Sequence, residues 1–234
     1  LISERARLAF RVREHKEASA QAVDYFRPER EAQVLRGVLE RNQGPLSDSE
    51  MLRLFREIMS ACLAQQEPLK VAYLGPEGTF TQQAVHRHFG HSVHALSLPG
   101  IDDVFEQVQS GDADFGVVPV ENSTQGIVSH TLDMFLLSDL KICGEIELRV
   151  HQNLLTLAKS VDQIERVYSH EQSLSQCKNW LRSHLPGVEL IAVSSNSEAA
   201  RRVRSTPEAA AIGGRSAAEV YGLPVLFADI EDHP

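Results

Sequence analysis

KVAYLGPEGTFTQQAVHRHF, residues 70–89, decides how the chain is read. Its first five residues form an apolar run of strand length. Residues 75–78 make a glycine-bounded turn, and Thr79 is a cap residue ahead of a helical block at 81–89. A strand delivered through a glycine turn into a helix start is the unit from which α/β layers are built. Downstream the pattern repeats, with strand-like runs at 93–98, 115–120, 140–150, 164–169, 188–193, 209–212 and 224–227. Helical blocks fall between them at 101–110, 173–184 and 197–204. The expectation is an α/β layer with a mostly parallel sheet over residues 67–234.

Upstream of Glu67-Pro68 the pattern is different. Residues 1–66 show no strand alternation, and apolar residues recur at helical spacing in three blocks. Leu1, Leu8 and Val12 set the first. Val34, Leu35 and Val38 set the second, opened by Pro28 and stopped by Asn42-Gln43-Gly44-Pro45. Met51, Phe55, Ile58 and Cys62 set the third, after the cap signal Ser47-Asp48-Ser49. Three helices of this length enclose little core, so the module is expected to dimerise or to lean on a neighbour.

The chain has 234 residues, 42% of them hydrophobic, and a formal net charge of -9. Residues 1–66 carry a net +1 and the remainder a net -10, which disfavours nucleic acid as a partner because phosphates are held by cations. No apolar run approaches the ~18 residues of a membrane helix. Cys62, Cys143 and Cys177 are odd in number and match neither a zinc pattern nor a disulfide framework, so reduced, mostly buried thiols in a cytoplasmic protein are expected. No metal or cofactor is expected, and the partner should be a small molecule.

Polar residues on apolar stripes single out the helical module. At ~100° per residue, Arg5 and Lys16 share the face of Leu8 and Val12, about 16 Å apart along the axis. Glu31 falls on the stripe of Val34, Leu35 and Val38, and Gln66 continues that of Phe55, Met59 and Cys62. Each alone reads as a snorkelling or ion-paired rim residue. Together, two cations, a carboxylate and an amide on inward faces read as the lining of a site for a small anion, since unpaired buried charge costs several kcal/mol. Arg30 either belongs to that lining or is the ion-pair partner of Glu31.

SERARLAFRVREHK (3–16), YFRPEREAQVL (25–35) and RLFREIMSACLAQQ (53–66) resemble the three-helix chorismate mutase domain that begins many bacterial bifunctional chorismate mutase/prephenate dehydratases. The resemblance implies that Arg5 holds a carboxylate, Lys16 the ether oxygen and a carboxylate, Glu31 the ring hydroxyl and Gln66 the ether oxygen, with Arg30 lining the site. Arg27 and Cys62 depart from some members and receive no role. The family's first helix also gives an arginine to the partner subunit's site, from a segment that would precede Leu1.

The second module carries GPEGTFT (75–81), VPVENSTQGIV (118–128), YSHEQSLSQC (168–177), SSNSEAA (194–200) and YGLPVLFADIEDHP (221–234). Polar groups gather at strand ends, where open α/β sheets bind ligands. Neither a Walker motif nor a GxSxG elbow is present, and His170 reads as a surface or cleft histidine. In this order the five motifs resemble the prephenate dehydratase domain, which implies two α/β lobes of periplasmic-binding-protein type with substrate between them. Carried over by position, Thr79, Glu121, Asn122, Ser123, Ser169 and Gln176 would line the cleft, with Asn122, Ser169 and Gln176 contributing to catalysis. The family's Thr-Arg-Phe motif and regulatory ACT domain would follow Pro234.

The expectation is therefore an all-α module at 1–66 and a two-lobed α/β module at 67–234. It would be a homodimeric, cytoplasmic enzyme of phenylalanine biosynthesis acting on chorismate and prephenate. The rival reading is a two-lobed binding or sensor protein without catalysis.

Overall fold

The structure, a computed structural model, describes residues 1–18, 27–122 and 126–233; the side chains of Arg13 and of residues 16–18 are outside that description. Three helices come first: α1 (Ile2–Ala18), α2 (Pro28–Arg41) and α3 (Asp48–Ala64). Pro28 sits in the first turn of α2, where its missing N–H costs nothing. Ser47 and Glu50 open α3 with a reciprocal capping box. Between them Asn42 Nδ2 donates to Asp48 Oδ1 at 2.7 Å and to Leu46 O at 3.0 Å, fixing the angle at which α3 leaves α2.

The helical module leans on the rest of the chain through α3. Glu57 accepts from His91 Nδ1 at 2.8 Å and from His91 N at 3.2 Å, and Arg56 donates to Arg87 O at 3.1 Å. Gly90 lies so close to Ser60 that a Cβ there would come within 2.4 Å of the Ser60 Cβ. Leu63 joins the core of the first lobe with Leu69, Val71, Val85 and Phe89.

That lobe is built on a three-stranded parallel sheet of β1 (Lys70–Leu74), β2 (His94–Leu98) and β3 (Phe115–Val117), in the order β2-β1-β3. The helices α4 (Phe80–Phe89) and α5 (Ile101–Gln109) connect its strands. A short antiparallel pair, β4 (Glu121–Asn122) and β5 (Gly126–Ile127), and α6 (Ser129–Leu137) follow.

The second lobe adds β6 (Asn153–Thr156), β7 (Arg166–His170), α7 (Glu171–Gln176), α8 (Lys178–His184), β8 (Glu189–Val193), α9 (Asn196–Val203), β9 (Ala209–Gly213), α10 (Arg215–Tyr221) and β10 (Val225–Phe227). Its five strands run in the order β10-β6-β9-β7-β8. Leu154 and Leu155 on β6 alternate across the sheet. Leu154 packs with Val167, Leu181 and Ile212, and Leu155 with Ala199, Val203 and Ala217. The small side chains of β9 are wholly buried, which lets elements close in on both faces.

Four features correct the sequence reading. The second sheet is mixed, because β6 runs antiparallel to both β9 and β10. Residues 140–150 form no strand: Ile146, Leu148 and Val150 are half-buried between exposed neighbours, so the alternation marks one covered side of an extended crossing and not a sheet position. The strand of that region is β6, just beyond. The block at 173–184 is two helices, divided at Cys177, whose backbone leaves helical geometry. Finally, α3 stops at Ala64, so Gln66 lies in the turn that follows and not on the helical stripe. Pro68 disfavours helix at Glu67 and forces the exit.

The lobes meet where the β1–α4 turn approaches α9 and α10. Ser197 Oγ donates to Glu77 O, and Ser216 Oγ donates to Gly78 O at 3.3 Å. Gly78 has a φ of 81°, and a Cβ on it would lie 3.1 Å from the Ala217 Cα and 3.2 Å from the Ser197 Oγ. Gly78→Ala is expected to cost about 1–3 kcal/mol through left-handed strain and overpacking. Urea unfolding checks it, and an unchanged midpoint would mean that the lobes do not press together along this seam.

Candidate functional site

Two separate places gather the candidate residues. In the helical module a cavity of ≈ 390 Å³ is lined by Arg5, Arg30 and Arg41 together with Gln33, Val34, Gly37, Val38, Met51 and Phe55. Three cations over an apolar floor suit a small anion with an apolar body. Arg30 Nη1 donates to Gln33 Oε1 at 3.2 Å, which holds its guanidinium along the same helix. A further cavity of ≈ 400 Å³, lined by Glu67, Pro68, Lys70, His94, Leu96 and Asp112, touches none of the candidate residues.

The structure separates residues that the sequence reading grouped. Glu31 is paired with Arg56, Nε to Oε1 at 3.8 Å, and not with Arg30. Burial pushes the Glu31 carboxyl above the usual carboxylate range, with the Arg56 charge opposing. Since Arg56 also holds Arg87 O, Glu31 is linked through it to the first lobe. Gln66 is half-buried in the turn after α3. Lys16 lies on α1, its side chain outside the described ones.

The face of α1 expected to be buried is open: Leu8 is 51% exposed and Val12 45%, and Arg5 is exposed beside them. Helix α1 packs on α3, and Ala6 and Ala9 are half-buried while Leu8 and Val12 stay in solvent.

The second place is the cleft between the lobes, where amides and hydroxyls form a connected set. Asn122, at the end of β4, accepts at Oδ1 from Gln172 Nε2 at 2.9 Å and so bridges the first lobe to α7. Asn196, at the start of α9, accepts at Oδ1 from Ser169 Oγ (2.9 Å) and His170 N (3.0 Å). Its Nδ2 donates to Ser173 Oγ at 2.8 Å. Gln152, just ahead of β6, donates from Nε2 to Ser173 Oγ (3.1 Å) and to Gln176 Oε1 (3.0 Å). Thr79 caps α4, accepting at Oγ1 from Gln82 N at 3.4 Å.

The set is held from behind by the chain's last segment. Glu231, its side chain 5% exposed, accepts from Gln152 N and His151 Nδ1, both at 2.8 Å, and Asp229 lies 3.3 Å from the same imidazole nitrogen. Burial works against ionisation of Glu231, but these hydrogen bonds and the imidazole hold its carboxyl below the usual range. Asp232 accepts from Asn179 N (2.8 Å) and Trp180 N (3.0 Å) at the start of α8.

Ser169 is brought to the cleft's edge but is 0% exposed, and its hydroxyl faces Asn196 and Ile212 O at 3.2 Å. In this arrangement it supports its neighbours and does not present a hydroxyl to a ligand. His170 uses Nδ1 to accept from Gln172 N, an N-cap role. Glu121 is exposed on β4, and Ser123 lies outside the described residues. Cys177 is buried and its thiol pushed up to about 12 by burial, then by Glu231 and Asp232, which makes it unreactive; Cys62 is buried and Cys143 exposed.

Gln152, Gln172, Ser173 and Asn196 were not singled out in the sequence. Three of them stand inside motifs quoted above. Their signal was a density of amides and hydroxyls beyond two strand ends, which does not say which of them meet. Such a set can orient a polar anion and donate hydrogen bonds to a departing oxygen.

Residues 71–234 match the family model described as prephenate dehydratase, and residues 1–67 the one described as chorismate mutase type II. The bifunctional chorismate mutase/prephenate dehydratases of Stutzerimonas stutzeri and Pseudomonas aeruginosa are 57% and 55% identical, each alignment covering 100% of this chain and 65% of the relative. The chain thus spans about two thirds of the length of these curated relatives. The crystal structure of a prephenate dehydratase from Arthrobacter aurescens in complex with L-Phe is similar at a TM-score of 0.65 and 31% identity, over 71% of this chain and 57% of that one.

Proposed function

The chain belongs to the prephenate dehydratase family, with a chorismate mutase type II match ahead of it, and from that premise we propose that it is a two-activity enzyme of phenylalanine biosynthesis. Residues 1–66 rearrange chorismate to prephenate. Residues 67–234 dehydrate and decarboxylate prephenate to phenylpyruvate. The observation that carries the second activity is the cleft's connected set of amides and hydroxyls, without a nucleophile-base triad among its described members.

The chemistry suits those groups. Loss of the ring hydroxyl and of carbon dioxide is driven by aromatisation, so the protein has mainly to orient prephenate and to donate to the departing oxygen. Thr79, Glu121, Asn122, Ser123 and Gln176 line the cleft in this reading. Asn122 and Gln176 act on substrate, and Ser169 acts through Asn196. In the helical module the rearrangement is intramolecular and needs no base or covalent intermediate. Arg5 and Arg30 hold carboxylates, Lys16 and Gln66 face the ether oxygen as negative charge grows on it, and Glu31 takes the ring hydroxyl.

A second copy of the chain covers the open face of α1 in this reading, giving a cytoplasmic homodimer. The exposed Leu8 and Val12 support it. The test is phenylpyruvate formation from supplied prephenate by a polypeptide extended through the Thr-Arg-Phe motif that the resemblance places after Pro234, with Gln176→Ala as comparison. Turnover above the uncatalysed rate that falls at least tenfold in the variant is expected. Saturable binding of prephenate with no turnover would favour the binding-protein alternative.

A further inference from the structure

We infer that Arg56 is a positioning residue for the mutase reaction, anchored on the first lobe, whose charge holds the Glu31 carboxylate as an acceptor for the ring hydroxyl of chorismate. The inference rests on the mutase reading, in which Glu31 meets that hydroxyl. Arg56 stands on α3 and Glu31 on α2, with Arg56 Nε 3.8 Å from Glu31 Oε1 and the side chains 25% and 20% exposed. At that distance the contact is between charges and is not a hydrogen bond. Arg56 Nε is buried and has no hydrogen-bond partner among the described residues, so the Glu31 carboxylate answers the guanidinium on that side. The other side is anchored, because Arg56 Nη1 donates to Arg87 O at 3.1 Å. Arg87 lies in the last turn of α4, where carbonyls lack an intrahelical partner and attract cations.

Phe55, beside Arg56, and Val34 and Val38, on the stripe of Glu31, line the arginine cavity, so the pair borders it. Burial raises the Glu31 carboxyl above the usual range, and the Arg56 charge opposes that rise. An ionised carboxylate is acceptor-only, which is the polarity a donating substrate hydroxyl needs, whereas a protonated one also presents a donor. Among the described residues, the other charged or titratable groups on the elements around the pair are accounted for. Arg30 Nη1 is on Gln33, and Arg5 of α1 lines the cavity with it. Glu57, next to Arg56, is taken by His91. His88 on α4 is held below the usual imidazole range by burial and then by the Arg56 charge. Arg56 itself does not touch substrate in this scheme.

The decisive variants are Arg56→Gln, which keeps a donor for Arg87 O but removes the charge, and Arg56→Lys, which keeps a charge. The polypeptide includes the arginine-bearing segment that the resemblance places ahead of Leu1. Without the Arg56 charge, Glu31 holds its proton to higher pH. The kcat/KM for chorismate of Arg56→Gln, taken as a ratio to the parent, is therefore expected to be low by about fivefold or more at pH 5.5 and to return to within about twofold at pH 8.5. The loss should fall on KM more than on kcat, since the ring hydroxyl is not a reacting atom and is held alike before and during the rearrangement. Arg56→Lys should recover most of it. In a Glu31→Gln background, Arg56→Gln should no longer produce a pH-dependent loss. His88 is released from the Arg56 charge in both backgrounds and cancels, whereas a purely structural role would give the same loss in both.

A second readout does not need turnover. The carbon-13 resonance of the Glu31 carboxyl, assigned by its loss in Glu31→Gln, should titrate at higher pH in Arg56→Gln than in the parent. A pH-independent ratio, an unmoved titration, or a loss that persists unchanged in the Glu31→Gln background would overturn the inference. A titration that moves, in a protein whose mutase rate ignores Glu31→Gln, would instead overturn the mutase reading of Glu31 and leave the charge relation standing.

Discussion

Asn196→Ala is expected to destabilise the second lobe by about 3 kcal/mol and to lower dehydration at least tenfold. The side chain accepts from Ser169 Oγ and His170 N and donates to Ser173 Oγ, all within 3.0 Å. After truncation Ser169 still has Ile212 O and Ser173 still has Gln152, but the His170 N–H loses the acceptor it meets here. One unmet amide costs roughly 1–3 kcal/mol, and two further lost bonds add about 0.5–1.5 each. Asn196→Asp keeps both acceptor bonds, and the Ser173 hydroxyl can rotate to donate to it, so the loss should be about half as large. The chain's single tryptophan, Trp180, lies on α8 of this lobe, so its fluorescence during urea unfolding reports the right unit. If Asn196→Ala unfolds within 0.5 kcal/mol of the parent, the network is not a structural unit and the cleft is held by packing alone.

What was legible in the sequence follows from the range over which each signal acts. The capping box at Ser47, Pro28 opening α2 and the strand-turn-helix at 70–89 are local, and each appears where the sequence placed it. Strand direction is not local. The antiparallel placement of β6 depends on partners more than 50 residues away, as in the register of Leu155 with Ala211. At 140–150 a true alternation was read as sheet because period two reports one covered side without saying what covers it.

The candidate sites divide along the same line. Residue types and motif order pointed to the cleft through Asn122 and Gln176. The pairing that organises it, Asn196 to Ser169 and Gln152 to Gln176, spans 27 and 24 residues and could not be read from spacing. The helical module shows the opposite error. Helical angles put Arg5 on the stripe of Leu8 and Val12, but the helix turns Ala6 and Ala9 toward its neighbour and leaves that stripe exposed.

Lys16→Ala is expected to lower the rearrangement of chorismate about a hundredfold while leaving dehydration of supplied prephenate within a few-fold. The assay uses a polypeptide that includes the arginine-bearing segment that the resemblance places ahead of Leu1. Breaking the ether bond puts negative charge on its oxygen, and losing a cationic donor to that charge should cost on the order of 3 kcal/mol. Lys16 stands on α1, the helix that also brings Arg5 to the arginine-lined cavity. The cleft draws its described groups from β4, the residue ahead of β6, β7, α7 and α9 and the turn before α4, none of them in the helical module. The two activities should therefore respond to different residues, although α3 joins the modules through Arg56 and Glu57. Feeding prephenate directly removes the first step from the second measurement, and circular dichroism of the variant excludes unfolding. A parallel fall in both rates would point to one shared site, and an unchanged mutase rate would remove Lys16 from the mechanism and leave charge stabilisation to Arg5, Arg30 and Arg41.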